Sequence, residues 1–130
     1  MSDLSAPALS GLRILVVEDE RLIADMIMDA LQDAGCNVVG PAMSLQSGQD
    51  LANNEDFDGA FLDVNLAGKA SFPIAQVLLR RAIPFAFLTG YGQATILETY
   101  RECPFLWKPF QLNELVALAR RHFTRQTPSG

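Results

Sequence analysis

Four β-favouring apolar residues in succession, Ile14-Leu15-Val16-Val17, run directly into three carboxylates, Glu18-Asp19-Glu20. An unbroken apolar run of this kind suits a strand buried on both faces at the centre of a parallel sheet, since a strand with one wet face would alternate. Leu22, Ile23, Met26, Ile27, Ala30 and Leu31 then recur with the helical period and stop at Gly35, as an amphipathic helix closed by glycine does. The opening therefore reads as a buried strand, an acidic end and a helix that must cover a sheet.

The alternation repeats along the chain. A short strand is expected at Asn37 to Gly40, a weak helix from Ser44 to Asn53 and a strong strand from Gly59 to Asp63. Pro73 suits the first turn of a helix that begins after Ser71 and runs through Ile74, Val77 and Leu78 to Arg81. Phe85 to Leu88 supplies a fourth strand, and Gln93 to Tyr100 a helix whose start is blurred by Gly90 and Gly92. Phe105 to Trp107 follows as a fifth strand, and Leu112, Leu115, Val116 and Ala119 mark a last helix to Phe123. Right-handed crossovers place the helices of such a chain on both faces of one parallel sheet, and binding chemistry collects at the C-terminal strand ends.

With 130 residues, one domain and one core are expected. Residues 1–10 and 126–130 are small and polar and read as flexible ends around a domain at 11–125. A hydrophobic fraction of 49% excludes disorder, and the formal charge of −5 disfavours nucleic acid and anionic membrane as partners. Arg80-Arg81 and Arg120-Arg121-His122, with Arg125, fall at expected helix C-termini, where they complement the macrodipole rather than form a binding patch. Cys36 and Cys103 lack metal-knuckle spacing and read as small apolar residues of a protein in a reducing cytoplasm. No apolar stretch approaches membrane-spanning length.

On this scaffold Glu18 and Asp19 follow strand one, Asp63 ends strand three, Thr89 follows strand four and Lys108 follows strand five. Each has a bland role when taken singly, as a turn, cap or solvated group. Together they bring carboxylates, a hydroxyl and an ammonium to one sheet edge. Clustered carboxylates repel unless a cation compensates, and an all-oxygen set suits Mg²⁺, with Mn²⁺ as the alternative. Asp19 and Asp63 are the direct candidate ligands, Glu18 reaches through a coordinated water, and the Asn65 backbone carbonyl adds an oxygen just beyond Asp63. Asp63, already ionised at neutral pH, can attack a phosphoryl group without a general base. Lys108, the Thr89 hydroxyl and the Gly90 N–H can then meet phosphoryl oxygens.

Ile14 to Asp19, Phe61-Leu62-Asp63-Val64-Asn65-Leu66, Phe85 to Gly92 and Lys108-Pro109-Phe110 together resemble the receiver domain of two-component response regulators over residues 12–123. The resemblance implies a flavodoxin-like (βα)5 doubly wound sheet of strand order 2-1-3-4-5 in a three-layer sandwich. It makes Asp63 the phosphoacceptor, Glu18 and Asp19 the acidic metal pair, Thr89 the switch hydroxyl, Phe105 the aromatic switch position and Lys108 the conserved-type lysine, with a cis Lys108–Pro109 bond. Gly90 stands where many members have Ala, Phe105 where many have Tyr, and Trp107 directly precedes the lysine. The 87–92 run, Phe-Leu-Thr-Gly-Tyr-Gly, is similar to the Phe-Ala-Thr-Gly signature of single-domain receivers of alphaproteobacteria, with Leu88 in place of Ala. Partners implied are a sensor histidine kinase, of HWE or HisKA2 type in that subgroup, or a histidine phosphotransfer protein.

Three other functions compete with this reading. A haloacid dehalogenase-type enzyme would carry a second Asp where Asn65 stands, and a nucleotide-binding module would carry a GxxxxGK[ST] loop. A constitutive receiver-like interaction module, not phosphorylated in the cell, is the remaining alternative. No long segment follows Phe123, so output is expected through altered contacts of the domain itself, which catalyses its own phosphorylation and dephosphorylation without metabolic turnover.

Overall fold

The computed structural model describes residues 9–90, 100 and 102–124. Five parallel strands form the main sheet: β1 (Arg13–Val17), β2 (Asn37–Ala42), β3 (Gly59–Asp63), β6 (Phe85–Thr89) and β7 (Phe105–Trp107), in the order β2-β1-β3-β6-β7. Counted among main-sheet strands alone this is the doubly wound order 2-1-3-4-5. Helices α1 (Arg21–Asp33), α2 (Leu45–Asn54), α3 (Phe72–Arg81) and α4 (Leu112–His122) connect or follow them. The helix expected over 93–100, with Tyr91 and Gly92, lies outside the described residues except for Tyr100. A two-stranded antiparallel hairpin, β4 (Asn65–Leu66) with β5 (Lys69–Ala70), stands between β3 and α3 and was not signalled by hydrophobic periodicity.

Period-two alternation divides the core between the two faces of the sheet. Leu15 and Val17 of β1, Leu62 of β3 and Phe85 and Phe87 of β6 belong to one buried cluster with Ile74 and Leu78 of α3. Ile14, Val16, Phe61, Ala86 and Leu88 point the other way, into a cluster with Ile27 and Leu31 of α1 and Leu115 and Leu118 of α4. Both central strands, β3 and β6, are buried at every position, which explains their lack of polar alternation in the sequence. The edge strand β7 is short and partly exposed.

Local chemistry sets the ends of several elements. Ser44 and Ser47 form a capping box at the start of α2, each side chain accepting from the other's backbone N–H. Ser71 precedes α3 but makes no side-chain cap bond, so helix entry there rests on Pro73 in the first turn. Arg81 does more than complement its own helix dipole. Its guanidinium donates to the carbonyls of Ala52 and Glu55 at the end of α2 and lies 5.4 Å from the centre of the Phe57 ring.

Leu9, assigned to the flexible segment 1–10, is fully buried in the α1–α4 face of the core, and the Gly11 N–H donates to the Gly35 carbonyl at 2.9 Å. Burial of one leucine fixes chain that composition alone marks as loose. Cys36 is buried as expected, while Cys103 is only partly so.

The strand carrying Asp63 is locked to the last helix by a contact with no spare volume. A Cβ built on Gly59 would lie 2.4 Å from the Phe123 ring, which also packs edge-on against Phe61 at 5.1 Å. Gly59→Ala is expected to lower stability by about 1–3 kcal/mol, the usual effect of overpacking, and Phe123→Leu in the same chain to recover part of it. Urea unfolding of the single and double variants checks this: equal midpoints for Gly59→Ala and wild type would refute it.

Candidate acidic phosphoryl and metal site

Four strand ends converge at the C-terminal edge of the sheet. Glu18 leaves β1 with its N–H bonded to the Ala42 carbonyl at 2.9 Å, which carries the β1–β2 pairing one residue past the strand. Asp63 is the last residue of β3, and the next N–H, of Val64, donates to Leu88 of β6 at 2.9 Å. Thr89 ends β6, and its carbonyl accepts the Lys108 N–H at 2.7 Å. The backbone ladder thus fixes the origin of each side chain before any side-chain interaction forms.

The Lys108 ammonium is the hub of the cluster. It lies 2.9 Å from Glu18 Oε1, 3.0 Å from Asp63 Oδ2 and 3.7 Å from Glu20 Oε1. The Asp63 contact has hydrogen-bond geometry, whereas Glu18 Oε1 has the charge contact but no hydrogen-bond partner among the described residues. Glu18 is wholly buried, Asp63 nearly so, and Asp19 partly exposed. Glu18, Asp19 and Asp63 each offer one carboxylate oxygen within 4.8 Å of the others, an arrangement that can hold a metal ion.

Each of the three carboxylates also has one oxygen held by a main-chain N–H. Glu20 donates to Glu18 Oε2 at 3.0 Å, Asn65 donates to Asp63 Oδ1 at 3.2 Å and Ala67 donates to Asp19 Oδ2 at 2.9 Å. Backbone donors stabilise anions without adding a flexible charged group to the site. The hairpin β4–β5 is the source of the Ala67 donor, and its tip closes one side of an open cleft of about 340 Å³ that Asp19, Asp63, Asn65, Gly90 and Lys108 also line.

Burial shapes the titration of this cluster. It raises Glu18 from an ordinary 4.5 to about 7, with help from the charge on Asp63 and against the opposing contacts of Lys108 and the Glu20 N–H. Asp63 is raised for the same first reason, against its hydrogen bond to Lys108. Burial pulls Lys108 down, but its contacts with Glu18 and Asp63 outweigh that pull and leave it raised. Two carboxylates packed around one ammonium therefore release their protons less readily than they would in water.

The structure brings together Glu18, Asp19, Asp63, Asn65, Gly90 and Lys108, and Thr89 is buried at the end of β6. The Lys108–Pro109 peptide is cis, as the resemblance implies. Phe105 stands apart on β7, paired in register with Phe87, and packs edge-on against Trp107 at 5.5 Å. Trp107, not Phe105, is the register partner of Thr89. Glu20 and the Ala67–Gly68 turn are site neighbours that side-chain chemistry did not single out. Glu20 was hidden as the third member of an acidic run, and a turn that contributes backbone N–H groups leaves only its glycine as a clue.

Comparison with known proteins gives a consistent answer. Residues 14–120 match the family model described as the response regulator receiver domain. The solution structure of SdrG from Sphingomonas melonis superposes with a TM-score of 0.74 at 38% identity, covering 87% of this chain and 96% of that one. The response regulator PhyR from Brucella abortus superposes with a TM-score of 0.75 at 26% identity, covering 95% of this chain and 53% of that one. Among curated relatives, the transcriptional regulatory protein PdtaR of Mycobacterium tuberculosis is 29% identical over 108 residues, 80% of this chain and 53% of the relative. The chain spans about half the length of the curated relatives it matches first. A cluster of Glu18, Asp19 and Asp63 on this fold is consistent with the phosphorylation and Mg²⁺ site of two-component receivers, whose catalysis is self-phosphorylation and not metabolic turnover. Since the sheet order, the acidic edge and the match across residues 14–120 agree, the chain belongs to the response regulator receiver domain family.

Proposed function

We propose that Asp63 is the phosphoacceptor of this receiver and that it takes the phosphoryl group from a phosphohistidine of a sensor histidine kinase or a histidine phosphotransfer protein. The observation that carries this reading is the Asp63 carboxylate itself: it lies at the cleft, with Lys108 3.0 Å from one oxygen and the Asn65 N–H 3.2 Å from the other. An oxygen of Asp63 forms the new P–O bond as the P–N bond of the donor breaks, and the leaving imidazole keeps the electron pair. Lys108 offsets negative charge on the acceptor side, while the Thr89 hydroxyl and the Gly90 N–H serve as donors to the transferred oxygens.

The residues present fit a hard divalent cation. Three carboxylates converge within 4.8 Å, all candidate ligands are oxygens, and Asp19 and Asp63 each turn part of their carboxylate to an open cleft. Asp19 and Asp63 would hold Mg²⁺ (or Mn²⁺) directly, with Glu18 acting through water and the Asn65 carbonyl as a further oxygen. When bound, the ion neutralises phosphoryl oxygens that the carboxylates would otherwise repel.

Beside the cleft lies an apolar groove lined by Ile23, Met26, Ile27, Pro109, Phe110 and Leu112, which shares Glu20 and Lys108 with it. This supports docking of a donor protein, since the donor histidine has to be held over Asp63. The Thr89-Gly90 pair within the 87–92 run supports assignment to the Phe-Ala-Thr-Gly subgroup and hence to an HWE or HisKA2-type kinase. No helix among the described residues is long and apolar enough to cross a membrane, and a cytoplasmic setting is part of the same proposal. The working domain is taken as 11–125, extended to include the anchored Leu9. Output is through altered protein contacts, with Thr89 as the switch hydroxyl and the Phe105–Trp107 edge as the surface that reports it.

Incubation with acetyl phosphate and Mg²⁺ is expected to add one phosphoryl group to the intact mass. Asp63→Asn and EDTA should each abolish the gain. Labelling of Asp63→Asn to the wild-type extent would remove Asp63 from the role, and no labelling of wild type by any donor would favour the constitutive interaction module.

A second expectation concerns pH in the absence of metal. Glu18 binds its proton more tightly folded than unfolded, so between 4.5 and about 7 the folded state holds the extra proton and stability falls as pH rises through that window. The raised Asp63 adds to the same slope. Glu18→Gln should flatten the slope and stabilise the metal-free domain above neutral pH by about 0.5–2 kcal/mol. Urea midpoints in EDTA across that range decide it, and a slope unchanged in Glu18→Gln would show that Glu18 is not its source.

A further inference from the structure

The segment joining β3 to α3 is a hairpin, not an open loop, and its tip turns back to the end of β1. Ala67 and Gly68 form its two-residue turn with φ of 53° and 89°. Positive φ at both central residues is what a type I′ turn requires, and alanine is a poor occupant of that region. Two hydrogen bonds hold the strained position: the Gly68 N–H donates to Asn65 Oδ1 at 2.7 Å, and the Ala67 N–H donates to Asp19 Oδ2 at 2.9 Å. The second bond spans 48 residues of sequence and, among the described residues, is the only hydrogen bond of the Asp19 side chain.

That bond distinguishes Asp19 from its neighbours. Glu18 and Asp63 are each oriented twice, by a local N–H and by the Lys108 ammonium. Asp19, more exposed and without a lysine contact, is oriented by the hairpin alone among the described residues. We propose that the Ala67–Gly68 turn is a positioning element for the metal site: its backbone N–H immobilises the Asp19 carboxylate through Oδ2 and leaves Oδ1 for a divalent cation. This deepens the metal reading above and rests on it. The turn brings no polar side chain to the site, so it acts through Asp19, by removing the rotamer freedom that ligation would otherwise have to quench.

The same geometry says which substitutions separate positioning from mere folding. Ala67→Pro deletes the N–H and cannot adopt a positive φ. Gly68→Val keeps the Ala67 N–H but strains the turn, because a β-branched residue is strongly disfavoured at that φ, although space around the Gly68 Cβ position is open. Ala67→Asn keeps the N–H and creates the Asn-Gly pair that type I′ turns favour.

The test uses the whole chain, with Mg²⁺ alone as the probe, its dissociation constant read from amide chemical shifts and the unfolding midpoint in EDTA measured in parallel. Ala67→Pro is expected to weaken Mg²⁺ binding about fivefold, roughly the factor for freezing one carboxylate side chain. Gly68→Val should shift it in the same direction, and Ala67→Asn should bind as tightly as wild type or more so. A purely structural role for the hairpin predicts lower unfolding midpoints with an unchanged Mg²⁺ constant in the first two variants, and that result overturns the proposal. Weakening in Ala67→Asn equal to that in Ala67→Pro overturns it as well. Absence of saturable Mg²⁺ binding in wild type overturns the metal reading and the positioning role with it, whereas equal binding in wild type and Ala67→Pro overturns the positioning role alone.

Discussion

One ammonium group allows the acidic edge of this sheet to exist. Glu18 is fully buried and Asp63 nearly so, and burying two carboxylates without a counter-charge would cost several kcal/mol each. Lys108 meets both within 3.0 Å, from a strand two places away in the sheet from β3. The reach is possible because the Lys108 N–H is bonded to the Thr89 carbonyl, so β6 registers β7 before the lysine side chain crosses to β3 and β1. A short, half-exposed edge strand is thereby tied electrostatically to the centre of the fold. The compensation is partial: one cation faces two buried carboxylates, and burial, helped by the charge on Asp63, keeps Glu18 raised against its contact with Lys108.

The deficit is what makes the edge chemically useful. A site whose carboxylates were each matched by a basic side chain would be stable and inert toward a cation. Here the remaining partners are donors, the main-chain N–H groups of Glu20, Asn65 and Ala67, which orient each carboxylate without neutralising it. Orientation comes from the backbone and charge is left uncompensated. The core below absorbs the consequence, since β1, β3 and β6 are buried on both faces and tightly packed from Gly59 to Phe123.

Much of this was legible in the residues. The three central strands were visible because a two-sided buried strand has to be an apolar run, and Asp63 was visible because it closes such a run at the edge where the other polar strand ends collect. Glu18, Asp19 and Lys108 followed from the rule that strand ends meet at one edge. What escaped has a common physical character. The hairpin β4–β5 is two residues per strand, too short for periodicity, and its Ala67 occupies a φ that composition assigns to glycine. Leu9 sits in a polar, proline-containing stretch, and only the three-dimensional position of the α1–α4 face reveals that it is covered. Arg81 looked like a dipole partner for its own helix, yet it binds the end of a neighbouring one. Backbone donors and long-range caps leave no side-chain pattern, so sequence marks the acidic groups and omits what aims them.

The register of β6 and β7 changes where a signal from the site would surface. Thr89 pairs with Trp107, while Phe105 pairs with Phe87 two residues earlier. Lys108 is the next residue after Trp107, and its side chain is the one that answers to the charge on Asp63. On the proposed reading, phosphorylation of Asp63 therefore acts on β7 from two sides at once, through the lysine that follows Trp107 and through the threonine laddered to it. Phe105 is reached only afterwards, across its edge-on contact with the Trp107 ring. Since both rings are substantially exposed on the edge strand, a shift of the first changes the surface offered by the second with no rearrangement of the buried core. On the same proposed reading the relay would be a packing contact, for which position 105 needs no hydroxyl.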